Sequence, residues 1–230
     1  MATNNAVNTG LSGQTGTGNF VGSTSPTIVT PVIAQIKDAN GNIELNTTAT
    51  ASAVNYIQLI NAATATSPII AANGTDANPA LVLIGKGTGG VLVQGITSGS
   101  SAPAGYSGEL IKSVIAYNAG TNPSFTSATA LNITSIALTA GNWIAFGNIA
   151  ITGSTTNLTY AYMWLSLTSA TLVDASLFGE ESLAAASAVA RAVPMQPFYL
   201  SSPQTLYLSA QCGFATGSAR GCGALYAIRV

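Results

Sequence analysis

From about residue 109 to Val230 apolar side chains recur at every second position, in short runs separated by Gly, Asn, Ser or Pro. A period of two marks strands that bury one face, because successive side chains of an extended chain point to opposite sides. The pattern predicts eight strands, at about 110–118, 130–139, 143–151, 157–168, 171–177, 195–201, 205–214 and 220–230. Ala140-Gly141-Asn142 and Gly153-Ser154-Thr155 are among the connections. So many short strands with turn residues between them predict an antiparallel β-sandwich of jelly-roll type.

The last two runs also predict a register. With a turn centred on Gly217, Cys212 falls opposite Cys222, Ala210 opposite Ala224, Leu208 opposite Tyr226 and Leu206 opposite Ile228. A slip of one residue would put these side chains on opposite faces. One stretch departs from period two. Glu180-Glu-Ser-Leu-Ala-Ala-Ala-Ser-Ala-Val-Ala-Arg191 combines strong helix formers with acids at its start and a base at its end, and Pro194 would stop it. It reads either as a short helix or as an irregular sheet-crossing loop.

The chain before residue 107 is built differently, from short extended pieces punctuated by Gly, Asn and Pro. Ile36 to Leu45 places Asn40-Gly41 between two short runs, and Asn-Gly accepts the positive φ angles of a hairpin turn. A second hairpin is predicted from Leu81-Val-Leu-Ile84, a Gly85-Lys-Gly-Thr-Gly-Gly90 turn and Val91-Leu-Val-Gln94. Neither can bury its own apolar face, since a lone two-stranded ribbon is marginal in water. Identical chains winding round one axis would supply the missing neighbours. Gly95 to Gly108 reads as a linker. Three segments result: 1–35 as an attachment segment, 36–107 as a β-hairpin shaft with its linker, and 108–230 as a carboxy-terminal sandwich.

Composition sharpens this picture. Of 230 residues only 13 are charged, six basic and seven acidic, while Ser and Thr number 51 and Gly 24. No charge precedes Lys37, and 61 uncharged residues separate Lys112 from Asp174. A net charge of −1 with scattered cations supplies no field for phosphates, which excludes nucleic acid and acidic membranes as expected partners. Apolar runs are too interrupted for a membrane-spanning helix. The opening residues lack the basic and apolar regions of a signal peptide, so synthesis in the cytoplasm is expected. So few charges solubilise weakly, which favours association.

The absence of histidine rules out Ser-His-Asp and Cys-His catalysis and His-liganded metal within one chain, and two cysteines cannot complete a four-ligand zinc site. Gly85 to Gly90 has the letters of a dinucleotide fingerprint, with Glu109 near the distance of a ribose-binding acid, but a helix must follow such a turn and Val91-Leu-Val follows instead. Asp38-Ala-Asn-Gly-Asn-Ile-Glu44 alternates oxygen donors as a calcium loop does, without the flanking helices. Adjacent Glu180 and Glu181 are poorly arranged as a glycosidase pair. Cys212 and Cys222 are expected to be free thiols, a cross-strand disulfide being the lesser reading. Asn46, Asn73, Asn132 and Asn157 head Asn-x-Thr triplets, read here as strand and turn composition. Tyr160, Tyr162 and Trp164 alternate on one strand face and Trp143 opens another strand, a stripe expected to lie in the core. No catalytic, cofactor-binding or metal residue is expected.

The run Gly16-Thr-Gly-Asn-Phe-Val-Gly-Ser-Thr-Ser-Pro-Thr-Ile-Val-Thr-Pro31 resembles a segment near the start of many bacteriophage tail-fibre proteins, with Ile28 where leucine is usual. The Ile36–Leu45 and Leu81–Val91 stretches are similar to fibre shaft pieces. Ile136-Ala-Leu-Thr-Ala-Gly-Asn-Trp143 with Gly147-Asn-Ile149 resembles a fibre head pattern, Asn142 standing where an acid is commoner. The resemblance implies a non-enzymatic homotrimeric virion fibre: an attachment segment bound to another virion protein of the tail or capsid, an interwoven β shaft, and a β-sandwich knob that contacts a host-surface glycan or protein. A capsid-attached head fibre or decoration protein shares these features, and a fibre-associated polysaccharide depolymerase, which would need an acidic pair in a groove and usually a longer body, is the lesser alternative.

Overall fold

The computed structural model describes residues 32–118, 120–154, 158–172 and 178–230, and every regular element among them is a β-strand. The chain divides into two compact units, one ending at Leu92 and the other running from Val93 to Val230.

The first unit holds two antiparallel hairpins, β1 (Gln35–Lys37) with β2 (Ile43–Asn46) and β3 (Asn55–Ile60) with β4 (Ile69–Gly74). The Asn40-Gly41 turn is where the sequence places it, and Gly41 takes φ +87°, open to glycine at little cost. The β3–β4 hairpin carries no such turn signal. The expected hairpin of 81–84 with 91–94 does not form: neither run is a strand, although Gly85–Gly90 does make a tight turn, with Gly87 at φ +62° and the Gly89 amide donating to the Lys86 carbonyl at 3.0 Å. Among the described residues no strand pairs with these runs and Leu83, Ile84 and Leu92 are exposed, so pairing the two runs alone would gain little.

The second unit is a sandwich of two antiparallel sheets. Its strands are β5 (Leu110–Ile115), β6 (Ser124–Phe125), β7 (Leu131–Leu138), β8 (Gly141–Ser154), β9 (Leu158–Ser166), β10 (Phe178–Ala186), β11 (Ala188–Leu200), β12 (Gln204–Phe214) and β13 (Ser218–Arg229). One sheet has the order β11-β8-β13-β5, with the short β6 also pairing β13, and the other β10-β9-β12-β7. Apart from the β9–β10 hairpin, successive long strands switch sheets, and the two four-strand orders are those of a jelly roll. One hydrophobic core lies between the sheets. Ile136, Met163, Leu165, Leu206 and Leu208 enter it from one side and Trp143, Ile149, Ile151, Val193 and Leu225 from the other. Gly147 on β8 lets the sheets approach closely, since a Cβ there would lie 3.1 Å from Leu208 Cδ1 and 2.6 Å from the Ala224 carbonyl oxygen.

Three expectations are corrected. First, β12 and β13 are not a hairpin. Cys212 lies opposite Ala161 in one sheet and Cys222 opposite Ala150 in the other, and the chain crosses between them through a turn where Gly217 has φ +83°. Second, 180–191 is neither helix nor loop. It forms the end of β10 and the start of β11, crossing sheets at Ser187, whose carbonyl accepts from Gly153 N at 2.7 Å. Pairing of Glu180–Ser182 with β9 and of Ala188–Val193 with β8 supplies backbone partners that override the helix propensity of the alanines. Third, no strand begins at 171–172, and the remainder of the predicted 171–177 strand lies outside the described residues.

Candidate functional site

The densest polar constellation joins the entry of the sandwich to its last strand. Arg229 is buried near the end of β13, and its Nε donates to Glu109 Oε2 at 2.8 Å in an ion pair whose two side chains are each 9% exposed. Burying two charges is favourable only when their remaining hydrogen-bonding capacity is met. Here it is met closely. Arg229 Nη1 donates to the Ala140 carbonyl at 2.9 Å and Nη2 to Thr139 Oγ1, while the guanidinium lies 4.3 Å from the centre of the Trp143 ring. Glu109 Oε2 also accepts from Gly105 N at 2.8 Å. The Gly105 amide first, and then the guanidinium, holds the Glu109 carboxyl below its ordinary range. Glycine is required beside this group, because a Cβ on Gly141, at φ +135°, would lie 2.1 Å from Arg229 Nη1.

Glu109 is therefore a structural ion-pair partner and not a ribose-binding acid. Part of the expected linker is likewise fixed in place. Gly108 N donates to the Arg229 carbonyl, Arg229 N to the Glu109 carbonyl and Leu110 N to Ser101 Oγ, so the chain is pinned from Ser101 onward. Sequence reasoning missed this lock, although the isolated charges at 109 and 229 within apolar surroundings were the signal that could have found it.

The other candidate residues resolve one by one. The Asp38 carboxylate accepts from Asn40 N, Asn42 N and Asn42 Nδ2 at 2.7–2.9 Å, so loop amides take up the oxygens that a calcium ion would need. The Asn42 side chain is the main reason its pKa is lowered. Asn46, Asn73 and Asn132 are engaged with Gln35, Gln58 and Ser169 respectively, and Asn157 lies outside the described residues, as does the fibre-like run 16–31. Among the described residues no three of Cys, Asp and Glu gather as metal ligands. Register places Glu180 opposite Tyr162 and Glu181 opposite Ala161 of the neighbouring strand.

Only half of the aromatic stripe behaves as expected. Trp143 is fully buried in the core, with Nε1 donating to the Thr139 carbonyl at 3.0 Å. On β9 it is Ala161, Met163 and Leu165 that face the core, which turns Tyr160, Tyr162 and Trp164 to the outer side. Trp164 is buried there and donates to the Thr171 carbonyl at 2.7 Å. The Tyr160 and Tyr162 rings lie 5.0 Å apart, tilted by 36°, with Gln211 Nε2 donating to the Tyr160 hydroxyl at 3.2 Å.

The first unit offers a different kind of surface. Ile57, Leu59 and Ile70 on the β3–β4 hairpin are 62–75% exposed, and Leu59, Ile60, Pro68 and Ile69 border an open apolar cleft. A second cleft runs along Tyr56, Ile57, Leu81 and Val82. Among the described residues of this unit no apolar side chain is fully buried.

No protein-family model matches the chain, and no curated protein matches it. Among solved structures it is similar to infectious bursal disease virus, Gx strain, with TM-score 0.36 and 14% identity over 60% of this chain and 36% of that one. The VP2 subviral particle of the same virus gives TM-score 0.36 and 14% identity over 60% of this chain and 37% of that one. Particles designated T=1 and derived from that virus give TM-score 0.37 and 12% identity, again over 60% of this chain and 36% of that one. The chain thus spans little more than a third of the length of these viral proteins.

Proposed function

We propose that this chain is a non-enzymatic structural protein of a virus particle, a homotrimeric bacteriophage fibre. Residues 1–35 form its virion-attachment segment, 36–107 its shaft and 108–230 its knob. The observation that carries the reading is the exposed apolar ribbon of the first unit. Two-stranded hairpins bearing Ile57, Leu59 and Ile70 in solvent are marginal alone, and copies of the same chain cover them at no cost in specificity. The jelly-roll connectivity of the second unit agrees with a knob, an architecture that recurs in viral and lectin domains, though fold alone does not assign a function. The fibre-like motifs supply the remaining support. The knob contacts a host-surface glycan or protein, and the protein resides in the virion after synthesis in the host cytoplasm.

A capsid-attached head fibre or decoration protein is the second reading, favoured by the same jelly roll. Gold-conjugated antibody raised against residues 108–230, applied to intact particles, distinguishes the two. Labelling of tail-borne fibres is expected; labelling of the capsid shell selects the second reading, and particles free of label overturn both. Purified protein that shortens capsular polysaccharide would overturn the non-enzymatic assignment.

A further inference from the structure

The sheet β11-β8-β13-β5 carries many apolar side chains on both of its faces, with Asn148 and Thr152 of β8 among the polar positions of that strand's outer face. Its inner face carries Ala219, Leu225, Ala227 and their core neighbours. On β13 the alternate positions Cys222, Ala224, Tyr226 and Ile228 point away from the core. Register sets Ala150, Phe146 and Ile144 of β8 beside Cys222, Tyr226 and Ile228, and Val114 and Leu110 of β5 beside Ala224 and Ile228. On the other side of β8 the exposed Pro197 lies opposite Ile144 and Ala192 opposite Asn148. Phe146 and Tyr226 stack with ring centres 5.3 Å apart. Val114 is 56% exposed and Tyr199, opposite Asn142, 75%. The charges on this face among the described residues are Lys112, which sits between Leu110 and Val114 on the edge strand β5 opposite Tyr226, and Arg220 opposite Thr152.

A sheet whose strands carry apolar side chains on both sides is built to be covered on both sides. We infer that the outer face of this sheet is the contact by which the knob packs against a second copy of the same chain. This rests on the oligomeric fibre reading and specifies which surface the copies share. Size and charge favour that occupant. With strands about 4.8 Å apart and a rise of about 3.3 Å per residue, the face covers roughly 600–700 Å², close to the about 800 Å² that each partner contributes to a standard interface. A face with cations only at its margins has little to offer an acidic partner or an anionic lipid surface. A second copy, itself nearly uncharged, meets it with only Lys112 and Arg220 to be kept at the solvated rim.

The chain carries its own probe. Cys222 is on this face and partly exposed, whereas Cys212 is sealed in the core, where burial pushes its thiol up to about 12. In the native full-length protein a maleimide reagent is expected to label neither cysteine. The variant Val114→Asp/Tyr199→Asp, altered at two exposed positions, is expected to gain labelling at Cys222 with Cys212 still protected. Ala192→Arg is a second, milder variant with the same expectation, in case the double substitution unfolds and labels both. If the wild-type protein is oligomeric by light scattering yet Cys222 reacts as fast as in the variants, the face assignment is overturned while the oligomer stands. A wild-type mass equal to one chain overturns the oligomeric reading and this assignment with it. Oligomers that survive with Cys222 protected only when liposomes or another virion protein are added also overturn it, by naming a different occupant.

Discussion

Replacing Arg229 with alanine is expected to destabilise the sandwich by about 3–5 kcal/mol, the cost of leaving a buried partner charge unpaired. The loss has several physical sources. Glu109 keeps only the Gly105 amide, the Thr139 hydroxyl and Ala140 carbonyl lose their donor, and the face of Trp143 loses its cation. Urea unfolding followed by tryptophan fluorescence reads this as a lower midpoint with an unchanged slope. Glu109→Gln is expected to cost less, because an amide oxygen still accepts from Gly105, and it should alter the pH response. The native Glu109 carboxyl titrates below its ordinary value of 4.5. Its contribution is therefore fully present above that value and is lost as pH falls through the depressed native pKa. The acid limb of the stability curve should be shallower in Glu109→Gln than in the wild-type protein. An Arg229→Ala protein as stable as wild type would mean that the lock is decorative.

The second large effect is expected at Leu208. This residue of β12 is fully buried and faces the Gly147 notch of the opposing sheet. Truncation to alanine removes apolar core contacts at a place where the Leu208 side chain fills the space left by the missing Cβ of Gly147. A loss of about 2–5 kcal/mol follows from known large-to-small core substitutions. Calorimetry or urea titration measures it; a change below about 1 kcal/mol would show that the sheets relax into the space.

Much of this architecture is legible in the alternation of side chains. The positions of β5, β7, β8, β9, β12 and β13 agree with the period-two runs to within a few residues, because each strand has a core-facing set that is continuous and apolar. The error over β12 and β13 has a specific cause. The even positions Cys222 to Ile228 form an unbroken apolar row, as a core face does, but the core is filled from the odd positions of β13, where Ala219, Leu225 and Ala227 are interrupted by Gly221 and Gly223. Alternation reveals which residues share a face; it does not reveal whether the facing strand lies beside or across. The Glu180–Arg191 stretch was obscured for another reason, since its alanines favour a helix locally and only pairing with β9 and β8 makes them strand. The Arg229–Glu109 pair joins residues 120 positions apart, a distance over which no periodicity carries information.

All of these features converge on association between copies: exposed apolar ribbons in the first unit, a sheet with apolar side chains on both faces in the second, and thirteen charges in 230 residues. Multi-angle light scattering of the full-length protein in native buffer tests that claim most directly. A mass of three chains, unchanged on dilution, is the result this account predicts, and the mass of a single chain would contradict it.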